Sequence, residues 1–88
     1  MFRVSLDKMA DKAFSTFSMK FSNGYTVWLA LGDGTYSTGD FSNGFTTVEV
    51  DAWGPDGEWV QLEENGSDVV GWQSADSVLA LLNRIASL

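Results

Sequence analysis

The sequence predicts an α+β fold: an antiparallel β-sheet of about four hairpin-connected strands, packed on one face by a single C-terminal helix. Three observations predict it. Phe-Ser-Asn-Gly occurs at residues 21–24 and again at 41–44, each time leading into alternating apolar residues. Gly54-Pro55-Asp56-Gly57 separates two further alternating runs. The last fourteen residues carry an apolar stripe at helical spacing. Asn-Gly between alternating runs is the strongest short-range hairpin signal, and a 3.6-residue stripe marks an amphipathic helix.

The first hairpin can be put in register. Phe17, Met19 and Phe21 alternate with Ser18, Lys20 and Ser22, and Tyr25, Val27, Leu29 and Leu31 alternate with Thr26, Trp28 and Ala30. A two-residue loop would set Val27 opposite Lys20 and mix apolar with polar residues on both faces. A three-residue loop, with Gly24 left-handed in a bulge, pairs Phe21 with Tyr25, Met19 with Val27 and Phe17 with Leu29. A slip of one residue moves every side chain to the other face, so the apolar pattern selects the bulged turn.

The second Phe-Ser-Asn-Gly copy predicts another tight turn, following a small-residue loop at 32–40 and feeding a strand from about Phe45 to Trp53. In Gly54-Pro55-Asp56-Gly57 the proline presets φ and Gly57 takes the left-handed position. The same bulged register pairs Ala52 with Val60 and Val50 with Leu62, giving a strand over 58–63 and a β-meander over 14–63. Residues 64–68 read as a loop, and Val69-Val70 as a short extended stretch.

Residues 1–13 fit two patterns. Phe2, Val4 and Leu6 alternate as a strand does, while Phe2, Leu6, Met9 and Ala13 fit one face of a helix. The reading adopted is an extended start followed by a helical turn. At the other end Ser74 is a suitable N-cap and Asp76 complements the helix dipole in the first turn. Ala75, Val78, Leu79, Leu82, Ile85 and Ala86 form the stripe, joined by Leu81 and Leu88, and Arg84 sits near the C-terminal end, so residues 74–86 form the capped helix. Trp72, just before the cap, reads as a packing residue that fixes the chain's entry into the helix.

Composition narrows the chemistry. With 88 residues the chain has room for a single domain, and its 44% hydrophobic content is that of a folded protein. There is no cysteine and no histidine, which removes thiol chemistry, disulfides and the commonest general base and metal ligand. A net charge of −7 argues against binding a nucleic-acid backbone or an anionic membrane. No apolar run is long enough to span a bilayer, and the first residues lack the apolar core of a signal peptide; the expected location is cytoplasmic.

The predicted registers sort side chains onto two faces. One collects Phe17, Met19, Phe21, Tyr25, Val27, Leu29, Val48, Val50, Ala52, Val60 and Leu62, for the helix to cover. The other carries Phe14, Trp28, Glu49, Asp51, Trp53, Trp59 and Gln61, with Glu63. A helix of about twelve residues, roughly 18 Å long, cannot cover both. Either residues 1–13 fold over the second face, or that face is a contact surface, since open patches bearing several aromatic rings mark interaction sites. Glu49 and Asp51 point the same way, as cation ligands and glycosidase carboxyl pairs do, but solvated acids on a strand explain them as well. Asp33, Asp40 and the glycines near them lack the EF-hand spacing. No catalytic, cofactor-binding or metal-binding residue is assigned.

Taken together, Phe-Ser-Asn-Gly-Tyr-Thr-Val at 21–27, Val-Glu-Val-Asp-Ala-Trp-Gly-Pro-Asp-Gly-Glu-Trp at 48–59 and Val-Val-Gly-Trp-Gln-Ser-Ala-Asp-Ser-Val at 69–78 resemble small uncharacterised proteins of tailed bacteriophages, marine and cyanobacterial ones among them. The resemblance implies a viral origin, a host cytoplasmic setting and an accessory or host-directed role. It carries no known activity. The functional expectation is a non-enzymatic phage interaction protein that forms a homo-oligomer through the tryptophan-bearing face, with a host protein as a second class of partner. Two alternatives accompany it: an acidic inhibitor imitating nucleic acid toward a host protein, and a small carbohydrate-binding module stacking sugars on Trp28, Trp53 and Trp59.

Overall fold

The computed structural model describes residues 1–9, 12–63, 66 and 68–88. It is an antiparallel sheet of six strands packed with one C-terminal helix. The strands are β1 (Phe2–Met9), β2 (Lys12–Lys20), β3 (Thr26–Gly32), β4 (Thr38–Asp40), β5 (Gly44–Trp53) and β6 (Val69–Gln73), and the helix is α1 (Ala75–Ala86). They are ordered β1-β2-β3-β5-β4, with β6 also paired to β5. The α+β class holds; the strand number exceeds the expected four because of β1 and the short strands β4 and β6.

The first hairpin has the bulged register. Phe17 stands opposite Leu29 and Met19 opposite Val27. The Phe21 N–H donates to the Tyr25 carbonyl at 2.8 Å, and the Gly24 N–H to the Phe21 carbonyl at 3.0 Å. Gly24 has φ +88°, the left-handed conformation that the three-residue loop requires. The 54–58 turn repeats this geometry: the Gly54 N–H donates to the Glu58 carbonyl and the Gly57 N–H to the Gly54 carbonyl.

Two expectations are corrected. Among the described residues of the N-terminal segment there is no helical turn. β1 pairs with β2 along its length, placing Phe2 opposite Met19 and Val4 opposite Phe17, and the chain Ala10–Asp11 between them lies outside the described residues. The alternation prevails over the helical pattern because β2 offers both a matching apolar row and a hydrogen-bonding edge.

The second correction concerns 58–63, which does not form a ladder with β5. A single bridge joins Trp53 to Trp59, and the Val60 N–H reaches the Ala52 carbonyl at 2.9 Å. Beyond that point β6 takes the place beside β5, setting Val70 rather than Leu62 opposite Val50. The departing chain is held from the helix instead: the Arg84 guanidinium donates to the carbonyls of Gln61 and Leu62 at 2.9 and 3.2 Å. Leu62 is thereby turned into the core.

That core is Val27, Val50, Ala52, Leu62, Val70 and Ile85, with Leu29, Val48, Val78, Leu81 and Leu82 packed around it. The Ser74 hydroxyl caps α1 by accepting the Ser77 N–H. Leu79 and Leu88, counted in the sequence stripe, are exposed. α1 packs over β3, β5 and β6 and stops short of the β1–β2 hairpin. Phe2, Val4 and Leu6 consequently remain 69%, 71% and 60% exposed on that side.

Candidate interaction face

Side chains alternate across a strand, so the registers place residues on the face away from α1 in rows. Lys20, Thr26 and Trp53 form one row, and Arg3, Ser18, Trp28, Asp51 and Val69 the next. Ser5, Thr16, Ala30 and Glu49 form the third, and Phe14 lies beyond it opposite Gly32. The sheet thus brings Phe14, Trp28, Glu49, Asp51 and Trp53 to one face. Trp59 joins them across its bridge to Trp53, the two rings meeting edge to face at 5.5 Å and 74°.

Gln61 does not belong to this group. The pairing that would set it beside Asp51 is not formed; its side-chain amide donates to the Glu63 carbonyl and its own carbonyl is taken by Arg84. Nor do the first residues cover the tryptophans. β1 extends the sheet at its edge, which leaves Trp28 and Trp53 half-buried and Trp59 56% exposed.

Two adjoining open grooves run along the hairpin side of the tryptophans. One, of about 270 Å³, lies between Arg3, Ser18, Lys20, Thr26 and Trp53; the other, of about 420 Å³, lies between Arg3, Ser5, Thr16, Ser18 and Trp28. Their floor is hydroxyl-bearing and their rim cationic, with the N-terminal ammonium donating to the Lys20 carbonyl at 3.1 Å.

The opposite side of Trp28 is acidic. Asp51 is only 6% exposed, and its Oδ1 has no hydrogen-bond partner. Burial, with Glu49 and Asp68 adding their charges, pushes its pKa up to about 6. Glu49 is tied down, its Oε1 accepting the Tyr36 N–H at 3.2 Å. Tyr36 packs on Trp72, with ring centroids 5.1 Å apart, and its carbonyl accepts the Trp72 N–H.

Trp72 is therefore an exposed ring packed on the Tyr36 loop, and the packing expected of it is made there rather than at the entry to the helix. It has φ +52°, unusual for a side chain of its size, at the point where the β5–β6 register shifts. Gly71 beside it admits Tyr36 because a Cβ there would collide with the ring's own Cβ. Only the proximity of Gly71 to an aromatic residue hinted at this clasp in the sequence.

Other acids serve turns. Asp40 accepts from the backbone of Ser42 and Asn43 and from the Asn43 amide, contacts that hold its carboxyl below the usual range, those of Asn43 foremost. Asp56 accepts the Glu58 N–H, and Asp33 the Ala13 N–H. Asp40 stands beside the first residue of β5 and Asp56 follows its last, so these acids lie at opposite ends of the sheet from one another. Among the described residues no cluster of three or more acids is placed to hold a metal ion, and no helix is long and apolar enough to cross a membrane.

No protein-family model, curated protein or solved structure matches the chain.

Proposed function

We propose that the chain is a non-enzymatic interaction protein, of the accessory kind that the phage resemblance implies, and that its contact surface is the tryptophan-bearing face of the sheet. One observation carries the reading: α1 packs on the other side of the sheet, and although the Tyr36 loop reaches Glu49, and Thr26, Ala30 and Asp51 are buried, Trp59 stays 56% exposed against Trp53, with Trp28 half-buried beside them. Tryptophan is the residue most enriched where binding energy concentrates, and strands fix it with little loss of entropy on contact. The test separates contact from packing. Trp59→Ser is expected to lower unfolding free energy by no more than about 1.5 kcal/mol, the range of an aromatic pair. A loss of about 3 kcal/mol or more in denaturant titration, the range for a core tryptophan, would make Trp59 a structural residue and remove the reading.

A second reading, saccharide binding, is favoured by the hydroxyls of Ser18 and Thr26 flooring a groove walled by Trp53. A glycan panel that leaves the tryptophan fluorescence unmoved removes it.

A further inference from the structure

We infer that the partner is a second copy of this chain, packed face to face about a two-fold axis running along β3, so that the Arg3–Lys20 side of each copy lies over the Asp51–Asp68 side of the other. This rests on the reading of the tryptophan face as the contact surface and adds the occupant and its orientation.

The charge layout of the face selects the arrangement. Four of the five basic residues of the chain, Arg3, Lys8, Lys12 and Lys20, precede residue 21, whereas ten of its twelve acids follow it. On the open face Arg3 and Lys20 stand on the hairpin side of Trp28, and Glu49 and Asp51 on the other. β3 is the middle strand of the series β1, β2, β3, β5, β6 that makes up this face.

Two copies each carrying −7 repel unless local contacts oppose it. An in-plane axis across the strands would lay hairpin over hairpin and cation over cation. An axis along β3 lays β1 and β2 over β6 and β5 of the second copy. Arg3 then lies over Val69 and its neighbour Asp68, and Lys20 over the Trp53 ring, a cation–π geometry, with the charge of buried Asp51 lying beneath the acidic side. Trp28 sits at the axis, facing its own copy. Such an interface is isologous and closes at two subunits, and antiparallel sheets stack in this way at about 10 Å.

The experiment is sedimentation velocity on the full chain, with thermal melts confirming that each variant is folded. The native chain is expected to be a dimer that weakens in 0.5 M salt. Arg3→Glu with Lys20→Glu should weaken association at least tenfold. Asp68→Lys should also weaken it at least tenfold, although it makes the net charge less negative and so reduces general repulsion. An equimolar mixture of the two variants should form a heterodimer, seen by native mass spectrometry. A chain that stays monomeric at millimolar concentration overturns the proposal. So does a dimer indifferent to both reversals but lost on Val4→Lys, which places the contact on the exposed strip beside α1. A monomer whose Trp59→Ser variant melts normally leaves the contact-face reading intact, so the two failures are distinguishable.

Discussion

Asn23, in the first hairpin turn, donates its side-chain amide to the carbonyl of Ile85, 3.0 Å away in the last turn of the helix. The same Nδ2 lies 3.3 Å from the carbonyls of Ala86 and Leu88, while Oδ1 accepts the Tyr25 N–H within the turn. One residue thus closes a hairpin and caps a helix sixty residues later, satisfying carbonyls that a helix end otherwise leaves unpaired. Its counterpart Asn43 has no such reach: it turns back to the Asp40 carboxylate.

Asn23→Ala should therefore destabilise the fold by about 1–3 kcal/mol, the cost of leaving partly buried acceptors unpaired. Asn43→Ala, at an exposed turn, should cost less. Urea titration of both variants provides the comparison.

The glycines of the two sister turns should also differ. Gly24 and Gly44 both have positive φ, but a Cβ at Gly24 would lie 2.9 Å from the Pro55 Cβ, whereas one at Gly44 meets open space. Alanine at Gly44 should cost about 1 kcal/mol for its backbone alone. Alanine at Gly24 should cost more, because the 21–25 and 54–57 turns must separate. Thermal melting should rank them in that order.

Arg84→Lys should not preserve stability. The guanidinium fork reaches two successive carbonyls, at Gln61 and Leu62, and an ammonium is a point donor that cannot match it. A loss of about 1–2 kcal/mol is expected. Faster hydrogen exchange at Val60 and Leu62 would locate it.

Asp51 should give the protein an inverted pH response. Its pKa is about 6 folded against 3.8 ordinarily, so the folded state binds the proton more tightly. Stability should then fall as pH rises from about 4 to about 6, by up to about 3 kcal/mol, and level off above. Asp40 acts oppositely, but only below its ordinary pKa. Asp51→Asn should raise the melting temperature at pH 7 and flatten the slope between pH 4.5 and 7. An unchanged slope would remove Asp51 as its source.

The legible parts of the fold are those whose signal is local. Phe17, Met19, Val27 and Leu29 required the bulged turn at Gly24 because only that register puts them on one face. Ser74 and the Val78–Leu82–Ile85 spacing likewise marked the helix and its start. The tryptophan face followed from the same alternation, except at Gln61, where the strand it depended on does not form.

The turns, the register of the first hairpin and the capped helix are readable from the chain alone, since each follows from torsional preference and apolar periodicity over a few residues. Which segment lies beside β5 is set by long-range contacts. Val60-Leu62 and Val69-Val70 are rival apolar segments for Val50, and the choice falls to distant groups: Arg84 holding the carbonyls of 61 and 62, and Tyr36 clasping Trp72 within β6. Such contacts leave no periodic trace, because the free energy of a contact between remote residues depends on the closed chain and not on either segment alone.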